Sequence, residues 1–174
     1  MLEIILVTGG CRSGKSDYAV QLAEAAGSAV TFIATAEPFD DEMKQRISRH
    51  QAERPAEWGL IEEPLKLAEA ITQGLEQADM VIVDCMTLWV SNLLFKENIK
   101  DEITVTTRIK QVLKTIENCS GCVIFVTNEV GLGIVPADEL TRLYRDCIGR
   151  VNQCLGRTAD KLIFMISGVP QQVK

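Results

Sequence analysis

Five short apolar runs punctuate the chain: Ile4-Ile5-Leu6-Val7, Val30-Thr31-Phe32-Ile33, Met80-Val81-Ile82-Val83, Val123-Ile124-Phe125-Val126 and Leu162-Ile163-Phe164-Met165-Ile166. Each is rich in β-branched or aromatic residues and apolar on both faces. That pattern predicts central strands of a parallel sheet covered by helices. Between the runs the period changes to that of a helix. Residues 15–26 place Tyr18, Ala19, Leu22, Ala23 and Ala26 on one face. Residues 41–52 follow Asp40, a capping candidate, and residues 65–75 follow Pro64. Residues 103–117 carry Ile103, Ile109, Val112, Leu113 and Ile116. The clearest helix spans about 138–156, with Leu140, Leu143, Tyr144, Cys147, Ile148, Val151 and Leu155 at helical spacing. Strand–helix alternation argues an α/β fold with a mostly parallel sheet flanked by helices. The charged stretch 96–102 reads as a solvated connection, and no feature divides residues 1–174 into two domains.

Charge narrows the partners. A net charge of −6 leaves no overall electrostatic footprint for DNA or RNA. No apolar run reaches the roughly 20 residues that cross a bilayer. Met1-Leu2-Glu3 leads into the first run without the basic start and small-residue cleavage site of a signal peptide, so the expected compartment is the cytoplasm. In that compartment the six cysteines are expected as thiols. Cys119-Ser-Gly-Cys122 has C-x-x-C spacing, but zinc needs four ligands and the chain has one histidine; the segment reads as a turn before a strand.

The first run leads directly into Gly9-Gly10-Cys11-Arg12-Ser13-Gly14-Lys15-Ser16, which matches G-x-x-x-x-G-K-[ST] between a predicted strand and a predicted helix. Glycines there let successive backbone N–H groups turn inward onto phosphate oxygens. The helix start adds partial positive charge. Lys15 is expected to reach the β- and γ-phosphates, and the Ser16 hydroxyl to ligate Mg²⁺. Asp84 ends the third run, where a carboxylate can hold Mg²⁺ or simply cap the next turn.

His50 is the single histidine, with Arg46, Arg49 and Arg54 nearby in sequence. This local basic patch suits a second set of phosphates. An unperturbed imidazole has a pKa of about 6.5, which leaves it available at neutral pH as a base or nucleophile. Its attack on phosphorus would give a phosphoramidate able to pass the group onward. A solvent-exposed helical histidine with no chemical role fits the same pattern.

The chain resembles the bifunctional adenosylcobinamide kinase/adenosylcobinamide-phosphate guanylyltransferases of cobalamin biosynthesis. The likeness runs from the phosphate loop through Ile33-Ala34-Thr35-Ala36, Asp40-Asp41-Glu42-Met43, Arg46-Ile47 with His50, and Asp84-Cys85-Met86-Thr87-Leu88-Trp89. It continues through Val126-Thr127-Asn128-Glu129-Val130-Gly131, Gly133-Ile134-Val135-Pro136, Gly149-Arg150-Val151-Asn152-Gln153 and Ser167-Gly168. The loop alone fits many families; the His50 and Asn128-Glu129 segments are more specific. The resemblance implies a RecA-like P-loop fold, a homotrimer and two reactions. In the first, ATP or GTP phosphorylates the aminopropanol arm of adenosylcobinamide. In the second, GTP donates GMP to His50, and the cobinamide phosphate takes it to give adenosylcobinamide-GDP. It also implies a nucleotide site at Gly9 to Ser16, Ala34, Thr35, Ala36, Gln51, Ala52, Glu53, Arg54, Glu62 and Asp84. The catalytic residues would be His50 and Lys15, and the Mg²⁺ ligands Ser16 and Asp84. A surface position is the plain alternative for Glu62. Two rival functions remain at this level: a P-loop small-molecule kinase without nucleotidyl transfer, and a non-catalytic nucleotide-sensing module.

Overall fold

The computed structural model describes residues 1–37, 41 and 55–174. Seven strands form one sheet: β1 (Leu2–Gly9), β2 (Val30–Ala34), β3 (Gly59–Glu62), β4 (Met80–Asp84), β5 (Gly121–Val126), β6 (Lys161–Ile166) and β7 (Val169–Gln172). Five helices connect them among the described residues: α1 (Lys15–Ala26), α2 (Leu67–Gln77), α3 (Met86–Phe95), α4 (Glu102–Ile116) and α5 (Glu139–Thr158). The strand order is β3-β2-β4-β5-β1-β6-β7, parallel throughout except for the final β6–β7 pair. Strand β5 therefore separates β1, which leads into the phosphate loop, from β4, which ends on Asp84.

Alternation along the central strands divides the core in two. Leu6, Ile33, Val83 and Phe125 point to the face covered by α2, α3, α4 and α5. Val7, Phe32, Ile82 and Ile124 point to the opposite face, where Ala19 and Ala23 of α1 close over them. Both faces being covered accounts for the runs that are apolar without alternation. Fully burying one of these Val, Ile or Leu side chains contributes about 1.5–3 kcal/mol.

The predicted helices form with small shifts in their ends. Helix α4 begins at Asp101, whose carboxylate accepts from the Thr104 backbone N–H at 2.7 Å, and α5 begins at Asp138, which accepts from Thr141 N–H at 2.8 Å. Three residues assigned to inward faces point to solvent instead: Ala26, Ile103 at 75% exposure and Leu140 at 47%. Each lies in the first or last turn of its helix, where the sheet no longer covers it. The 41–52 helix expectation falls, apart from Asp41, outside the described residues. Cys119 and Cys122 sit respectively in the α4–β5 turn and in β5 itself; burial pushes the Cys122 thiol up to about 12, which keeps it protonated and inert.

Strands β3 and β7 and helix α3 are additions that the apolar pattern did not signal. Helix α3 matters most. It starts directly after β4 and buries Met86, Thr87, Trp89, Val90, Asn92, Leu93 and Leu94. Asn92, 2% exposed, donates to the backbone carbonyls of Thr35 (2.9 Å) and Pro64 (3.1 Å). Trp89 Nε1 donates to Leu65 O at 3.0 Å. One helix thus ties the end of β2 to the chain that follows β3. Asn92→Ala would leave one buried and one part-buried carbonyl without that donor and is expected to cost about 1–3 kcal/mol. A urea midpoint equal to that of the wild type would contradict this.

Candidate active site

The phosphate loop is built by backbone conformations that demand glycine. Gly9 has φ of 147° and Gly14 has φ of 88°. A Cβ on Gly9 would stand 2.5 Å from the Met165 carbonyl oxygen and 2.9 Å from Ser13 Oγ. Gly9→Ala is therefore expected to destabilise the protein by on the order of 1–3 kcal/mol. An unchanged denaturation midpoint would count against it.

Neighbouring segments brace the loop. Glu129 N–H donates to Gly9 O at 3.0 Å, Gly168 N–H to Ser13 O at 3.1 Å, and Ser13 N–H to Gly10 O at 3.3 Å. Helix α1 then opens at Gly14, with Tyr18 N–H bonded to Gly14 O. The first-turn N–H groups and the helix dipole meet at the loop, which favours an anion there. The Lys15 side chain is 8% exposed; its ammonium donates to Gly10 O at 2.5 Å and lies 3.5 Å from Ser13 Oγ. The cation is thus folded back over the loop, where phosphate oxygens are stronger acceptors than a carbonyl. Cys11 and Arg12 are exposed at the loop tip.

Register places the remaining candidates. Glu62, Ala34, Asp84, Val126 and Val7 lie side by side across five adjacent strands. The last residue of β4, Asp84, falls on the α1 face by strand alternation, the face on which Ser16 begins α1. Among the described residues no cluster of three or more His, Cys, Asp or Glu side chains could enclose a metal. A carboxylate and a hydroxyl suit Mg²⁺, which keeps several waters and takes further oxygens from phosphates. Glu62 is exposed on the edge strand β3. Four strand spacings of about 4.8 Å separate it from β1, so it stands too far away to share the phosphates.

Thr35 plays a structural part. It is fully buried, and its hydroxyl donates to Cys85 O at 2.8 Å while accepting from Cys85 N–H at 2.9 Å. Its N–H donates to Asp84 O at 3.2 Å. These bonds fasten the Asp84–Cys85 turn, whose peptide is cis, to the end of β2 between Ala34 and Ala36. From α5, the Tyr144 hydroxyl donates to Thr87 O at 3.3 Å. Burial, with the nearby Cys85 adding to it, pushes Tyr144 up to about 12, so it stays a neutral donor.

His50, Gln51, Ala52, Glu53 and Arg54 lie outside the described residues, as do Arg46 and Arg49. In the chain they fall between β2, whose carboxyl end contributes Ala34 to this edge, and β3, whose carboxyl end contributes Glu62.

Sequence reasoning left Thr127, Asn128 and Glu129 out of the site. Thr127 N–H donates to Val7 O at 3.0 Å and its hydroxyl to Asn152 Oδ1 at 2.7 Å, while Asn152 Nδ2 donates to Asn128 O at 3.0 Å. The three residues therefore extend β5 along the loop strand. The signal was available: they follow an apolar run directly, as the loop and Asp84 do. Ligands of open parallel sheets bind outside the carboxyl ends of the strands.

Comparison with known proteins identifies the family. Residues 5–173 match the family model described as cobinamide kinase / cobinamide phosphate guanyltransferase. The chain is 40% identical to the bifunctional adenosylcobalamin biosynthesis protein CobP of Pseudomonas aeruginosa, over 97% of this chain and 96% of that protein. It is 40% identical to the bifunctional adenosylcobalamin biosynthesis protein CobU of Salmonella typhimurium and 39% identical to that of Escherichia coli; in each pairing 98% of this chain and 99% of the relative are covered. With its P-loop at the carboxyl edge of a parallel sheet and a match over almost its whole length, the chain belongs to the cobinamide kinase/cobinamide phosphate guanyltransferase family of transferases.

Proposed function

We propose that one phosphate cradle serves both reactions, with His50 carrying GMP from GTP to the cobinamide phosphate in the second. The chief support is the braced loop from Gly9 to Ser16, in which the Lys15 ammonium is already folded over the position that phosphates would take.

In the first reaction the hydroxyl oxygen of adenosylcobinamide bonds to the γ-phosphorus of ATP or GTP. The bond to the β–γ bridging oxygen breaks, the nucleoside diphosphate leaves and the hydroxyl proton passes to solvent. Loop N–H groups from Gly10 to Ser16 and the Lys15 ammonium orient the triphosphate and meet the charge that develops on it. Ser16 and Asp84 would hold Mg²⁺, which, when bound, neutralises phosphate charge and favours in-line geometry.

In the second reaction an imidazole nitrogen of His50 bonds to the α-phosphorus of GTP, and pyrophosphate leaves with the electron pair of the α–β bridge. A phosphate oxygen of the cobinamide phosphate then bonds to that phosphorus, the P–N bond breaks and His50 is restored. The covalent stage divides one transfer into two easier ones. Ala34, Thr35, Ala36, Glu62 and the 51–54 segment belong to the same proposal as the nucleoside end of the site. A cytoplasmic homotrimer belongs to it too, the trimer resting on the family resemblance alone.

Parallel incubations with α-labelled and γ-labelled GTP test the scheme. It requires γ-label in cobinamide phosphate, and α-label first on the protein and then in cobinamide-GDP. Label passing only from the γ position would reduce the protein to a simple kinase. No transfer from either position would leave only nucleotide sensing.

A further inference from the structure

We infer that Asn128 reads the terminal phosphate of the bound nucleoside triphosphate. This rests on the phosphate-loop reading, not on the role of His50. Four observations carry it. First, β5 lies between the loop strand β1 and the Asp84 strand β4, so its carboxyl end stands between the two phosphate-handling elements. Second, the extended backbone continues beyond β5, since Thr127 N–H donates to Val7 O and Glu129 N–H to Gly9 O. Asn128 is thereby set beside Gly9, two residues past the Asp84–Val126–Val7 row. Third, Thr127 turns its hydroxyl to Asn152 of α5, so alternation directs Asn128 to the opposite face, where Val126 packs and α1 begins. Fourth, Asn152 holds the Asn128 carbonyl, and the Asn128 side-chain amide has no hydrogen-bond partner among the described residues.

A neutral amide at that point has a defined use. Its NH₂ can donate to a γ-phosphate oxygen without the repulsion a carboxylate would bring. A diphosphate has no group at that position. Asn128 therefore separates triphosphate from diphosphate, whereas Lys15 and the loop N–H groups grip both.

Affinities for GDP and for the β,γ-imido analogue of GTP, measured by calorimetry, test this on the full chain. Asn128→Ala is expected to weaken the analogue about tenfold or more, as loss of a hydrogen bond to a charged group does, and to leave GDP within about twofold. Equal loss for both ligands, or no loss for either, would overturn the inference. Should Asn128→Ala not fold, Asn128→Asp keeps the backbone and the shape. Its carboxylate should weaken the analogue more than GDP, and equal loss would again overturn the inference. The γ-transfer rate of Asn128→Ala should also fall about 10²-fold. If the wild type bound neither nucleotide, the cradle itself would be wrong; discrimination lost in the wild type would reject only the role of Asn128.

Discussion

Replacing His50 by Asn is expected to abolish protein-bound α-label and to lower cobinamide-GDP formation by at least ~10³-fold, because no other histidine exists to carry the nucleotide. Asn keeps a polar side chain of comparable reach but has no basic nitrogen to form the phosphoramidate. Phosphorylation of cobinamide should stay within about threefold of wild type, since that reaction uses the γ-phosphorus and the loop. The split between the two reactions is the informative quantity. Loss of both would indicate that position 50 supports nucleotide binding in general, and loss of neither would remove the covalent scheme.

Lys15→Ala should have the complementary effect and depress both reactions, each by about 10²–10³-fold, the range for losing one preorganised charge donor. The Lys15 ammonium is held inside the loop against Gly10 O, a position that Arg12, exposed at the loop tip, does not occupy. Triphosphate and diphosphate affinity should fall together, unlike the pattern expected for Asn128. Rates for the two reactions, measured on the same preparation, decide the matter. Guanylylation at the wild-type rate in Lys15→Ala would mean that the second reaction uses a separate phosphate site.

The parts of the fold that the chain announces are those governed by local chemistry. Strands buried on both faces must be apolar without alternation, and β1, β2, β4 and β5 were visible for that reason; β6, buried on one face and half-covered on the other, is apolar enough to be visible too. The loop was legible because left-handed backbone at Gly14 and the close approach of Met165 O to Gly9 leave glycine as the residue that fits. Strand β3 was not, because Gly59-Leu60-Ile61-Glu62 is a four-residue edge strand with little burial. Strand β7, Val169–Gln172, is wholly exposed and pairs only with β6, and its Pro170 fits an edge but no central strand. Helix α3 escaped for the opposite reason. It is buried nearly all round, so it has no polar stripe for a 3.6-residue period to reveal.

The candidate site divides along the same line. Lys15, Ser16 and Asp84 sit within or at the end of motifs whose spacing is contiguous in sequence. The row that sets Glu62, Ala34, Asp84, Val126 and Val7 abreast depends on strand order, which no local pattern encodes. Asn128 enters the site only because β5 is interposed between β1 and β4, and Thr35 proves to be a latch on Cys85 only once β2 and β4 are paired.

The central claim is that a nucleotide passes through a covalent bond to this chain. Its most direct test is the mass of the wild-type protein after exposure to GTP and Mg²⁺ without cobinamide, followed by peptide mapping under alkaline conditions. The account predicts one added GMP located on His50 and discharged when cobinamide phosphate is supplied. An unmodified chain that still makes cobinamide-GDP, or GMP found on another residue, would contradict it.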